Sequence, residues 1–271
     1  MGERSQKLWR TLIIIWTIVV LVCIYVPMAS VVLASFSRKR YFSFPIDGWD
    51  TRWYEKAFES LSVRELIYTS LSVAVLVTVF SVTLAFFGAL AFARYDWQGR
   101  KVFQKIVLLP IFFPQAVLGL ALLLWFSALG ITTSWMTAVF AHMVWIAPIV
   151  TLIISIQVYG YDPALEEAAF DLGASRWQVF REVTLPILAP GLISGSVFAF
   201  LLSWGNFPLS LFSTGADQTV PEWLYAKMVS GYTPMVPTLG SLTMGGAVIV
   251  IVTAYVAMVL NWRRRARDAT G

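Results

Sequence analysis

"DPALEEAAFDLGASRWQVFREVTLP", residues 162–186, sets five carboxylates (Asp162, Glu166, Glu167, Asp171 and Glu182) against two arginines (Arg176 and Arg181) in the middle of an otherwise apolar chain. Its spacing reads as two short helices joined at a glycine. Asp162 ahead of Pro163 is a helix start, because the Asp oxygen accepts an orphan backbone N–H and proline is pre-organised for the first helical position. Leu165, Ala168, Ala169 and Leu172 then recur at i, i+3, i+4 and i+7, which gives one apolar face. Gly173 stands where a left-handed residue ends a helix. Ser175 with Gln178 three residues on is a capping box for a second helix, lined by Trp177, Phe180 and Val183 or Thr184 and closed by Pro186.

The flanks place this elbow in a membrane protein. A chain of 271 residues that is 58% hydrophobic and 13% charged, with a mean hydropathy of +0.74, carries more apolar surface than one water-soluble core can hide. The charges are clumped, and none falls between Arg10 and Arg38, Glu65 and Arg94, Lys105 and Asp162, Glu182 and Asp217, or Lys227 and Arg263. A spanning helix needs roughly 20 predominantly apolar residues. Four of these gaps therefore hold one span each, and the gap 106–161 holds two that turn near 130–134. The expected fold is an all-α integral membrane protein: a single transmembrane domain over 1–271 with six helices at 11–34, 66–93, 106–129, 135–158, 187–211 and 239–262, and the elbow, 160–186, between the fourth and fifth. The apolar run 11–37 is too long for the core of a signal peptide and reads as an uncleaved first span. Gln6 stands where a myristoylation pattern after Met1-Gly2 needs Ser or Thr. The single cysteine, Cys23, lies inside the first span and can form no disulfide within the chain.

Lys and Arg near helix ends set orientation. The termini, 94–105 and 159–186 carry thirteen, against seven in 34–65, 130–134 and 212–238, with "RKR" at 38–40 the chief counter-signal. Both termini and the elbow are thus expected in the cytoplasm. The net charge of +5 belongs to these flanks and reads as contact with membrane lipid headgroups, not nucleic acid. The elbow itself is acidic, whereas helices that lie on a bilayer usually present Lys and Arg to anionic lipid. A protein partner suits it better.

"EAA" at 167–169, Gly173 after a gap of three, nine further residues to Val183, and Leu185-Pro186 together resemble the EAA motif of permease subunits in bacterial ABC importers, with Val183 where the family prefers Ile. The number and order of the surrounding helices match as well. The resemblance implies the type I importer permease fold, with the elbow forming coupling helices that enter a groove of a cytoplasmic ATPase subunit. Glu167, Ala168, Ala169 and Gly173 would be the docking core. It further implies a second homologous permease, a pair of ATPase subunits that carry ATP and Mg, an extracytoplasmic solute-binding protein, and the bacterial inner membrane. Within this chain no cofactor and no metal is expected, and no P-loop GxxxxGK[ST], HExxH or GxSxG occurs, so enzymatic activity is not expected. Gly191 and Gly195 in "GLISG" read as a close helix contact. His142, the only histidine, reads as either a membrane-buried relay or, more simply, a hydrogen-bonded packing residue.

Interrupted spans tend to mark substrate regions in transporters. Gly205 and Pro208 weaken the fifth span at "SWGNFP", and Pro110 and Pro114 weaken the third beside Gln115. Freed backbone groups at such breaks need side chains or water, so Gln115, Ser203, Trp204 and Asn206 are the candidate lining of a solute pathway. The chain looks most like the spermidine/putrescine-type branch, including "TVPEWLYAKMVSGYTPMVPTLGSL" at 219–242. It departs from that branch where polyamine carriers tend to have carboxylates, at Gln115 and at Gly205-Asn206. A polyamine-like solute and another amine or a zwitterion both fit. An ion-coupled secondary transporter is the competing function, although His142 is the only ionisable side chain it would have inside the spans, and a non-transporting scaffold is a third.

Overall fold

A computed structural model describes residues 3–39, 46 and 48–268, with side chains over 6–39, 46 and 48–260. Met1, Gly2 and Arg40 lie outside the described residues, as do the side chains of the basic cluster at 263–267. Among the described residues the fold is helical, and the only strand-like pairing is an isolated bridge between Ser37 and Trp49. The helices are α1 (Glu3–Ser35), α2 (Arg52–Glu59), α3 (Leu61–Arg94), α4 (Arg100–Leu108), α5 (Gln115–Ala128), α6 (Trp135–Tyr159), α7 (Ala164–Asp171), α8 (Arg176–Gln178), α9 (Leu185–Trp204), α10 (Pro208–Ser213), α11 (Val220–Ser230) and α12 (Met235–Asp268). Five stretches are long and apolar enough to cross a bilayer: Gln6–Ser35, Leu61–Arg94, Trp135–Tyr159, Arg176–Trp204 and Met235–Leu260. The pair Arg100–Phe112 and Gln115–Ala128, bent by 104°, makes a sixth when counted together as one broken span.

Three features differ from the sequence reading, each for a backbone reason. The span expected at 106–129 is not one helix: α4 runs into a 3-10 turn, Leu109–Phe112, and Pro114 is extended at ψ 130 before α5 starts. Pro110 and Pro114 lack the N–H groups that would carry the helix through. The span expected at 187–211 stops at Trp204 and restarts as α10, while the long connection that follows contains α11. Pro186 does not close the second elbow helix. Chain 176–204 is one continuous helix, because a π-helical turn, Val179–Thr184, absorbs the proline. The Leu185 N–H reaches back five residues to the Phe180 carbonyl, so the wider turn carries the carbonyls past the proline ring that would otherwise collide with one of them.

The chain clusters into two compact units, 1–64 with 224–245 and 65–223 with 246–271. In the first, the Tyr54 hydroxyl bridges Ser35 (2.6 Å) and Ser241 (3.1 Å), and the ring of Phe36 stacks at a tilt on Tyr54. The apolar window of α1 buries nothing, as expected of a surface that meets lipid or protein. The second unit holds a core of Val73, Val77 and Phe86 from α3, Ile146, Val150 and Ile154 from α6, and Leu188 and Ala199 from α9. Gly191 and Gly195 let α9 approach α6: a Cβ on Gly191 would lie 2.8 Å from Gln157 and one on Gly195 3.2 Å from Ile154 and Val150.

Candidate functional site

The elbow is built from local signals. Asp162 Oδ1 accepts the Ala164 N–H at 3.0 Å and opens α7. At its other end Gly173 takes φ +86°, and the Gly173 and Ala174 N–H groups return to the carbonyls of Phe170 and Ala169 at 2.9 and 3.1 Å. This is a Schellman stop, whose left-handed position suits glycine. The Ser175 N–H donates to Gln178 Oε1 at 2.8 Å and the Gln178 N–H to Ser175 Oγ at 3.4 Å, so the capping box closes.

One side of the elbow stays exposed. Leu165, Glu167, Ala168 and Trp177 face out, Ala169 is half-buried, and Leu172 is 89% exposed. Glu166 turns the opposite way. Its Oε1 accepts the Thr184 hydroxyl at 2.6 Å and lies 3.4 Å from Arg94 Nη2, at the end of α3. The Arg94 guanidinium also covers the ring of Tyr161 at 4.4 Å, just past the end of α6. Burial, and then the negative charge of Glu166, push the Tyr161 phenol above its ordinary pKa. Phe180 stacks on Trp177 (5.6 Å) and meets Phe86 of α3 edge-on (6.2 Å), which holds the second arm to the bundle.

A second polar constellation occupies the break between α9 and α10. Asn206 Oδ1 accepts the Leu209 N–H at 3.0 Å and caps α10, while the Asn206 carbonyl accepts the Ser210 hydroxyl at 2.7 Å. His142 is fully buried, with Nδ1 2.9 Å from Ser203 Oγ and Nε2 3.1 Å from Ser210 Oγ. Ser210 has one proton and gives it to the Asn206 carbonyl, so its oxygen accepts from His142 and the hydrogen lies on Nε2. Of the four residues named from sequence, Ser203 and Asn206 are thus brought together around His142. Trp204 stacks on Phe200 (5.8 Å) and lies beside Gly246 of α12. Gln115, half-buried, is the first residue of α5. One turn on, a Cβ at Gly119 would meet Phe212 at 2.9 Å and the Pro208 carbonyl at 3.1 Å, so the helices that follow the two breaks are in contact. Side chains meet part of what the second break frees, the Leu209 N–H through Asn206 Oδ1 and the Asn206 carbonyl through the Ser210 hydroxyl.

Two carboxylates escaped the sequence reading. Glu166 stands next to the motif's Glu167, and nothing local distinguishes the inward one, since its partners are 72 and 18 residues away. Glu222 was legible: Thr219-Val-Pro-Glu222 is a capping box with proline at the second helical position. Glu222 Oε2 accepts the Thr219 N–H and hydroxyl, both at 2.8 Å, and Oε1 accepts the Thr214 hydroxyl at 2.7 Å. The Ser70 hydroxyl accepts the Val220 N–H at 2.8 Å and ties this corner to α3.

Over residues 81–268 the sequence matches the family described as "Binding-protein-dependent transport system inner membrane component". It is 30% identical over 265 residues to the putrescine transport system permease protein PotI of Escherichia coli K12, covering 93% of this chain and 94% of that one. To the spermidine/putrescine transport system permease protein PotC of the same strain it is 29% identical over 248 residues, covering 91% and 90%. The fold is similar to that of a chain in the crystal structure of a bacterial alginate ABC transporter with its alginate pentasaccharide-bound periplasmic protein, with a TM-score of 0.68, 20% identity and 93% coverage of both chains.

Proposed function

Since this chain belongs to the family of binding-protein-dependent transport system inner membrane components, and is therefore a non-enzymatic permease subunit of an ABC importer, we propose that it forms half of the pathway for a small amine-bearing or zwitterionic organic solute. In this reading a second homologous permease supplies the other half, an extracytoplasmic binding protein delivers the solute, and a pair of ATPase subunits binds ATP and Mg on the cytoplasmic side. The carrying observation is the two-sided elbow: one face bonded to the bundle, the other presenting Leu165, Leu172 and Trp177 to solvent beside Glu167. A rigid knob with an unspent apolar face and an acidic rim is suited to a groove in a soluble protein. Glu167, Ala168 and Ala169 would line that contact, and Gly173 would set its angle.

Orientation follows from the same docking. Four spans precede the elbow and two follow it, so both termini share its side of the inner membrane. The test is co-purification of the ATPase with the membrane-extracted complex. Replacing Leu172 by Asp buries a charge in the proposed groove and should cut retention by tenfold or more, about the cost of losing an interface anchor. Undiminished ATPase retention would remove both the docking and the orientation argued from it.

The names of PotI and PotC, a putrescine and a spermidine/putrescine permease, support an amine-bearing solute, polyamine-like or otherwise, and the uncharged Gln115 and Asn206 bear on its charge. A multiply charged amine held away from water needs paired negative charge. Gln115 and Asn206 carry no such charge, which favours a solute of low net charge. Gln115, Ser203, Trp204 and Asn206 remain the residues we place along its path.

A further inference from the structure

We propose that Glu166, through Arg94 and Thr184, is the strut that carries movement of the elbow into the membrane helices, a positioning role separate from that of the outward-facing Glu167. The inference rests on the docking reading above and assigns what happens on the other side of the elbow. The reason is mechanical. Helix α7 is only 8 residues long and has no fully buried residue, so apolar packing holds it weakly to the bundle. A polar tie reinforces it: Glu166 Oε1 receives Thr184 at 2.6 Å and faces Arg94 at 3.4 Å. Thr184 is buried in the π-helical turn that leads into α9. Arg94 is the last residue of α3, and its guanidinium rests on Tyr161 at the end of α6 at 4.4 Å. The ends of α3 and α9 thus meet at one side chain of α7, with the residues just past α6 packed against Arg94.

Charge and burial make this contact suited to transmitting force. The side chains of Arg94 and Glu166 are 16% and 25% exposed, so solvent screens them less than a surface pair. A hydroxyl donor to an ionised acceptor is also the stronger, shorter kind of hydrogen bond. Glu167, the next residue, is exposed, and neighbouring positions on a helix face different directions. The two glutamates therefore divide the work, one toward a partner and one toward the bundle.

The test uses the full complex reconstituted in lipid vesicles, with MgATP hydrolysis measured with and without the purified binding protein. Glu166→Gln keeps the shape and an acceptor for Thr184 but removes the charge that Arg94 faces, and Arg94→Gln removes the other partner. Each should leave ATPase retention and basal hydrolysis near the unaltered level while reducing stimulation by the binding protein about fivefold or more, the scale of a coupling between sites. Because both act through one ion pair, the double variant should be no worse than either single one. Unaltered stimulation in both single variants, or losses that simply multiply in the double variant, would overturn the strut. Leu172→Asp separates the two readings: it loses the ATPase if the docking reading holds, whatever Glu166 does, and Glu166→Gln keeps it. Loss of ATPase retention in Glu166→Gln would also count against the strut, since it would place Glu166 in the docking contact.

Discussion

At the scale of single residues, buried polar side chains between the apolar helices of this permease are tied to one another by hydrogen bonds. His142 is the clearest case: a lone histidine in an apolar helix becomes the tie between Ser203 and Ser210. Gly215 is held as tightly by geometry. It takes φ +64° and sits so close to the Thr133 carbonyl that any Cβ would collide with backbone. Gly215→Ala should therefore lower stability by about 2–3 kcal/mol, the upper part of the range for single substitutions, through strain and the displaced chain before α6. A thermal unfolding midpoint in detergent equal to that of the unaltered chain would show that the 133–215 contact is not required.

At the scale of elements, irregularity does the positioning. The π-helical turn joins the second arm of the elbow to α9 without a break, and α7 meets that turn through Glu166 and Thr184. Pro186→Ala restores a backbone donor and removes the ring, which allows the turn to tighten to an ordinary helix. Each residue of an α-helix turns the chain by about 100°, so a lost residue of slack would swing Thr184 away from Glu166. The variant should be at least as stable as the unaltered chain, since proline costs a helix interior about 3 kcal/mol, yet show reduced stimulation of MgATP hydrolysis by the binding protein. Full stimulation in Pro186→Ala would mean that the π-helical geometry is incidental. The bend at Phe112–Gln115 and the break at Gly205 serve a related end. The helices that follow them, α5 and α10, are in contact at Gly119.

At the scale of the whole molecule, solute choice is where charge should decide. The binding protein that serves this permease should take up a solute of low net charge. Titration calorimetry of that purified protein with putrescine, spermidine and a zwitterionic amino acid should rank spermidine last. Tightest binding of spermidine would overturn the low-charge reading and point to carboxylates elsewhere in the assembly, such as on the second permease.

The amino-acid sequence alone determines that this is a helical membrane protein with several apolar spans and an acidic elbow between two of them. Those features depend on composition, on the spacing of charges about the thickness of a bilayer, and on signals a few residues apart: Asp162, Gly173, and Ser175 with Gln178. It also marks where the third and fifth spans are weak. Only the tertiary structure decides what the weak points become, because that depends on which distant groups arrive to satisfy the freed backbone. His142 closes one break 61 residues away in sequence, and Arg94 selects Glu166 over Glu167 from a distance of 72. Local chemistry encodes helices, stops and caps. Which carboxylate faces a partner and which faces the bundle is settled by packing, when the ends of α3, α6 and α9 converge on one side of a short helix.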